Sequence, residues 1–190
     1  MLKIAISGKA RTGKNTVSKI LTSYIPGEVA TIAFADPIKR MAEEMFPSMP
    51  KEFLYGKSEY RSKIIPGAFK NEQPLSVRDL LIDIGTNLGR SYKEDIWLDA
   101  FDYHLKTALN NSKSVIITDV RFRNEFDHLK SLGFYQIRVS RGTNLEINHI
   151  SETNQDSIND NEFDYILNNN RTIESLEKEV KNIYFLISSK

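Results

Sequence analysis

Gly8-Lys9-Ala10-Arg11-Thr12-Gly13-Lys14 has the spacing G-x-x-x-x-G-K, and what flanks it constrains the fold more than any other feature of the chain. An apolar run, Leu2-Lys3-Ile4-Ala5-Ile6, ends at Ser7 just before the loop. A helical pattern through Val17, Ile20 and Leu21 begins just after it. Strand, glycine loop and helix in that order let backbone N–H groups and a helix N-terminus converge on an anion. Glycine at both ends permits the backbone conformations that close such a loop. Lys14 adds a point charge that reaches the β- and γ-phosphates of a nucleotide. The donor side is therefore assigned to Gly8, Lys9, Arg11, Gly13, Lys14 and Asn15. Asn15 stands where Ser or Thr usually follows the lysine, so the nucleotide-facing, metal-linked hydroxyl is assigned to Thr16.

Beyond the loop, apolar runs alternate with stretches of helical period, which predicts an α/β fold with a parallel sheet. Strands are expected at Leu2–Ser7, Val29–Phe34, Ser114–Thr118, Phe134–Val139 and Phe163–Leu167. Helices are expected over 14–24, 37–46, 76–89, 93–110, 122–132 and 173–187. The last repeats apolar residues at Leu176, Val180, Ile183, Tyr184 and Ile187, with Thr172 as its N-cap. Residues 47–75, with Pro47, Pro50, Gly56, Pro66, Gly67 and Pro74, read as a surface insertion. Residues 141–162, polar and rich in Asn, Ser and Asp, read as a lid whose Arg141 reaches an ATP phosphate on closing.

A chain of 190 residues with 40% hydrophobic content is one domain with a core of its own. Its 26 basic and 25 acidic residues nearly cancel, so no global field points to a nucleic-acid partner. It has no cysteine, and His104, His128 and His149 lack zinc-ligand spacing. No apolar run approaches the roughly 20 residues that span a bilayer, and no signal peptide is legible. A cytoplasmic protein with no membrane partner is the expectation.

In open parallel sheets the ligand crevice lies beyond the carboxyl ends of the strands. Asp36 follows the second expected strand and Asp119 ends the third, where either can serve a metal shell or an acceptor oxygen. Asp36 can equally cap the helix begun by Pro37. In Asp119-Val120-Arg121 an acid and an arginine can enter the crevice together, and the guanidinium offers a planar fork for phosphate. Glu125 extends this cluster or complements the dipole of the next helix. On the helix 76–89, Arg78, Ile82 and Gly85 share a flank with Thr86 close by, an edge suited to a flat phosphorylated ligand. Asp79 forms a capping-box pattern with Ser76 or contacts that ligand. Trp97, the only tryptophan, stacks on a base or packs.

Taken together, these segments resemble the bacteriophage deoxynucleoside monophosphate kinases, a branch of the P-loop monophosphate kinases. The resemblance runs from Gly8–Thr16 through Phe34-Ala35-Asp36-Pro37, Arg78-Asp79-Leu80-Leu81, Gly85-Thr86, Gly89-Arg90 and Trp97. It continues over Thr118–Glu125, His149-Ile150-Ser151-Glu152 and Asp164–Asn168. It implies a P-loop NTPase fold, a three-layer α/β/α core around a five-stranded parallel sheet. A helical monophosphate-binding insertion at about 37–110 and a lid at about 141–162 complete it. It implies ATP, Mg²⁺ and a deoxynucleoside monophosphate (dNMP) as acceptor, with Lys14, Asp119 and Arg121 catalytic. Arg78, Gly85, Thr86, Trp97, Asp119, Arg121 and Glu125 fall on the acceptor side, with Asp36 and Asp79 beside them. A homodimer is implied too, in the host cytoplasm for a phage-encoded protein. Asn15 and Arg123 depart from the family pattern, which favours Asp and Pro there.

Two rival readings share parts of this pattern. A phosphomevalonate- or dephospho-coenzyme A-type kinase has the loop and the fold. A non-catalytic nucleotide switch has the loop but no need of a second anion site, so Arg78 and Arg121 speak against it.

Overall fold

The computed structural model describes residues 1–111, 113–142 and 157–189. The chain runs β1 (Lys3–Ser7), α1 (Lys14–Tyr24), β2 (Val29–Ile32), α2 (Asp36–Met45), α3 (Glu52–Tyr55), β3 (Ile64–Lys70), β4 (Gln73–Ser76) and α4 (Val77–Ile82). It continues α5 (Arg90–Tyr92), α6 (Ile96–Asn110), β5 (Ser114–Val120), α7 (Arg123–Ser131), β6 (Tyr135–Ser140), β7 (Tyr165–Asn168) and α8 (Ile173–Ser188). Two compact units result, one from Met1–Ala33 with Phe101–Lys190, the other from Phe34–Ala100.

The first unit holds a five-stranded sheet in the order β2-β5-β1-β6-β7. Every neighbouring pair is parallel. Because alternate side chains face opposite sides, Ile4, Ile6, Ile116, Ile137 and Val139 meet one helical layer. There Val17 and Leu21 of α1 pack with Leu176, Val180, Ile183 and Ile187 of α8. Burying each such side chain contributes about 1.5–3 kcal/mol. Phe126 of α7 meets Phe163 edge-on, and Phe101 of α6 meets His128, whose Nε2 lies 2.7 Å from Asp102. The three-layer α/β/α fold is thus observed.

One irregularity in this sheet matters for the site. Ala5 pairs with Ile117 but Ser7 pairs with Val120, so β5 carries one residue more than β1 over that stretch. Ile117 and Val120 are fully buried, whereas Thr118 and Asp119 between them are partly exposed.

The second unit has its own core, with Ala42, Leu54, Ile65, Leu75, Val77, Leu80, Ile84 and Trp97 among its buried residues. Residues 47–75, expected as a surface insertion with no element assigned in it, contain α3, a 3₁₀ turn at Ser58–Ser62 and the antiparallel hairpin of β3 and β4. Pro66 and Gly67 hide β3 from a search for alternation, and they fall where its register with β4 is broken. The hairpin turns at Asn71 and Glu72, both at positive φ (48° and 64°).

The helix expected over 76–89 is likewise divided. After α4, residues Asp83–Gly89 adopt a π-helical path before α5. Trp97 Nε1 donates to the Gly85 carbonyl at 2.7 Å inside this stretch, a tertiary partner for a helical carbonyl that periodicity cannot reveal. No helix among the described residues is long and apolar enough to cross a membrane.

Candidate active site

The phosphate loop is strained where it must close. Gly8 (φ 149°) and Gly13 (φ 101°) take backbone conformations that favour glycine, and Arg11 sits at φ 63°, unusual for a residue with a side chain. A Cβ on Gly8 would lie 2.3 Å from the carbonyl oxygen of Val139, so the loop rests directly on β6. Thr12 is buried, and its hydroxyl donates to the Lys9 carbonyl at 2.9 Å. Lys14 Nζ donates to the carbonyls of Gly8 at 2.5 Å and Lys9 at 2.8 Å, which keeps the ammonium over the start of the loop. Val17 N–H bonds the Gly13 carbonyl at 3.0 Å, so α1 grows straight out of the loop. No acidic residue occupies its first turn, and its positive end is left uncancelled. Lys9, Arg11 and Asn15 are exposed there, and Thr16 is half-buried.

Beside the loop, Ser7 Oγ donates to the Val120 carbonyl at 3.1 Å, tying the end of β1 to the Asp119–Arg121 segment. Glu125 is 3% exposed. Its Oε2 accepts the amides of Arg121 at 2.8 Å and Phe122 at 3.1 Å, closing the N-terminus of α7. Arg123 points elsewhere, pairing with Asp127 at 2.8 Å and Glu162 at 2.9 Å. Arg141 follows β6 and is exposed. The first unit therefore gathers the loop, Asp119–Arg121 and the Ser140–Gly142 segment at the carboxyl ends of three adjacent strands, β5, β1 and β6.

The remaining expected residues lie in the second unit. Asp36 opens α2 with Ala35 as N-cap, and its Oδ1 pairs with Lys39 at 3.0 Å; no side-chain cap is formed. Ser76 Oγ accepts the Asp79 amide at 3.1 Å and lies 2.6 Å from Asp79 Oδ2, so Asp79 takes part in capping α4. Arg78 is exposed beside it, and Thr86 is half-buried in the π-helical stretch. A Cβ on Gly85 would meet Ile38 Cδ1 at 2.9 Å, so the room left by the missing side chain is taken by α2. Trp97, 6% exposed, belongs to the core of this unit, which favours the packing role left open by the sequence. Gly89 makes that packing fit, since its Cβ would lie 2.3 Å from Trp97 Cζ2.

Asp83 of this unit holds Lys70 at 2.6 Å and Asn87 at 2.8 Å. Burial alone would raise its carboxyl, but the hydrogen bonds from Lys70 and Asn87 outweigh that and hold it below the ordinary aspartate range. Of the lid expected over 141–162, residues 143–156, with His149-Ile150-Ser151-Glu152, lie outside the described residues.

Sequence reasoning missed Asn169. Its Nδ2 donates to the Thr12 carbonyl at 2.8 Å, across 157 residues of chain, and no local pattern marks it.

Comparison with known proteins bears on the family and the fold. The family model described as deoxynucleotide monophosphate kinase matches residues 44–180. A protein of Acanthamoeba polyphaga mimivirus, provisionally named a deoxynucleotide monophosphate kinase, is 31% identical over 193 residues, spanning 95% of this chain and 94% of its own. That relative comes from a virus and not from a bacteriophage, the source the resemblance pointed to. Among solved structures, the dephospho-CoA kinase of Campylobacter jejuni superposes with a TM-score of 0.52 over 98% of this chain and 96% of its own. At 15% identity it shares the fold alone.

Proposed function

The chain belongs to the deoxynucleotide monophosphate kinase family, and from that premise we propose that it transfers the γ-phosphoryl group of ATP to a deoxynucleoside monophosphate. It is a phosphotransferase; the choice of acceptor is the proposal. The observation that carries it is the meeting of the phosphate loop with Asp119–Arg121 at the ends of adjacent strands, tied by Ser7 and Val120. One side supplies amides and Lys14 for the donor, the other an acid and a guanidinium for an acceptor.

Phosphoryl transfer is mostly positioning and charge stabilisation, so each residue has an electrostatic task. Gly8, Lys9, Arg11, Gly13, Lys14, Asn15 and Thr16 hold the donor phosphates, with Arg141 approaching from the end of β6. Arg121 in the first unit, and Arg78 and Thr86 in the second, are each assigned to the acceptor. Glu125 holds the Arg121 amide; Asp79, Gly85 and Trp97 are assigned to the acceptor side with it, and Asp36 lies at the head of α2. Among the described residues no group of three or more His, Asp or Glu could hold a cation. Mg²⁺ in phosphoryl transfer is held largely through substrate phosphates, with one or two protein oxygens. The Thr16 hydroxyl and the Asp119 carboxylate fit that need as hard oxygen donors. When bound, the ion neutralises charge on the phosphate oxygens.

The test is coupled ADP release with ATP, Mg²⁺ and each dNMP in turn, with ribonucleoside monophosphates, dephospho-coenzyme A and phosphomevalonate as comparators. Turnover with at least one dNMP and none with the last two is expected. Turnover confined to those two, or ATP binding with no transfer at all, overturns the reading. A homodimer in the cytoplasm, implied by the resemblance, is checked by light scattering and by imaging of a tagged chain.

A further inference from the structure

Asn168, Asn169 and Asn170 follow one another at the end of β7, and their side chains bond two segments of the site, the phosphate loop and Ser140–Gly142. Ser140 Oγ lies 2.6 Å from Asn168 Oδ1, and the Gly142 amide donates to Asn170 Oδ1 at 2.7 Å. Between them, Asn169 N–H donates to the Ser140 carbonyl at 2.8 Å and Nδ2 donates to the Thr12 carbonyl at 2.8 Å. We propose that Asn169 is a positioning residue for the donor phosphates, acting through the Thr12–Gly13 peptide. This rests on reading Gly8–Lys14 as the seat of the ATP phosphates.

A carbonyl only accepts, so the amide group facing Thr12 must be Nδ2, which settles the orientation of the side chain. The Thr12–Gly13 peptide is planar and trans, so its C=O and N–H point in opposite directions. Drawing the oxygen toward Asn169 aims the Gly13 N–H away from it. Gly13, at φ 101°, has no side chain to restrict its backbone, so a hold on the peptide before it limits that freedom. A Cβ at Gly13 would lie 2.4 Å from Asn169 Nδ2, so glycine is also what admits the amide. Asn168 and Asn170 anchor the donor itself, fastening its turn to Ser140 and Gly142 on either side of Arg141. The turn after β7 thus ties the amide cradle and the segment carrying Arg141 to one support.

Calorimetric titration of ATP and ADP into the full chain tests this without any acceptor. Asn169→Ala should weaken both by about three- to tenfold, the worth of one hydrogen bond. Asn169→Asp, nearly the same in shape, sets a carboxylate against a carbonyl and near anionic ligands, and should weaken ATP further than alanine does. In turnover, KM for ATP should rise while KM for the acceptor stays. A merely structural role would lower the melting temperature of both variants and leave ATP affinity of the folded protein unchanged. That result, or an aspartate variant binding ATP as well as alanine, overturns the proposal. A wild-type chain that binds neither ATP nor ADP overturns the reading of the phosphate loop itself.

Discussion

Glu125 grips Arg121 by its backbone: Oε2 accepts the Arg121 amide at 2.8 Å and the next amide, of Phe122, at 3.1 Å. The carboxylate is buried, and the arginine it holds stands at the end of the strand beside the phosphate loop. Glu125→Ala would remove a buried acceptor from two half-buried amides, at a cost of about 1–3 kcal/mol. Urea unfolding should show that loss, and KM for the acceptor should rise as Arg121 loosens. Glu125→Gln keeps an acceptor oxygen and should fall between alanine and wild type.

Lys14 is the cation that we propose for the donor side. Lys14→Ala should lower kcat by orders of magnitude while the fold survives, because charge stabilisation in the transition state is what it supplies. Circular dichroism with single-turnover ADP release measures both. A folded variant with near-normal turnover would refute the assignment.

Arg121 and Arg78 should act on the acceptor alone. A charge-assisted contact to phosphate is worth about 1.5–3 kcal/mol, so alanine at either position should raise KM for the dNMP about tenfold to a hundredfold. ATP binding should barely change. Lysine should rescue in part, restoring charge without the planar fork. Separate titrations of ATP and dNMP decide it; loss of ATP affinity with dNMP binding intact would reverse the two assignments.

Trp97 and Gly89 are one packing unit. A methyl group on Gly89 would press within 2.3 Å of Trp97 Cζ2, so Gly89→Ala should destabilise by about 1–3 kcal/mol. Trp97→Phe removes the bond to Gly85, worth about 0.5–1.5 kcal/mol, and some packing with it. Together they should cost less than the sum, since the smaller ring makes room for the methyl. Urea unfolding followed by circular dichroism checks this, because Trp97 is the only tryptophan.

Asp83 predicts an acid limb. Its carboxyl is held below the ordinary range in the folded chain, so the folded state binds its proton less readily than the unfolded state. The associated stability is present above the ordinary aspartate range and is lost as pH falls through the lowered folded value. Asp83→Asn should therefore cost stability at pH 7 and very little at strongly acid pH. An equal cost at both would rule out linkage through Asp83.

What could be read ahead of the structure was whatever is local in the chain. The phosphate loop declares itself because glycine spacing, a preceding apolar run and a following helical stripe lie within a couple of dozen residues. α8 does so because Leu176, Val180, Ile183 and Ile187 face one way along a single helix. Asn169 was invisible for the opposite reason, since its partner Thr12 is 157 residues away. The π-helical stretch is bonded by Trp97, which lies outside it, and the β3–β4 hairpin hides behind Pro66 and a turn with no glycine at Asn71-Glu72. Glu125 was legible as a first-turn acid, but not as the residue that seats Arg121.

The extra residue in β5 also has a bearing on chain length. Side-chain direction alternates along a strand, so losing one residue from most of β5 would turn everything beyond it to the other face, Arg121 included. Only between Ile117 and Val120 can a residue be dropped with the later ones still in phase, because Thr118 and Asp119 together span one rung opposite Ile6. A chain shortened there would keep its sheet and forfeit one of two side chains at the mouth of the crevice. Deletions among related chains should therefore gather at that rung or be missing from β5 altogether.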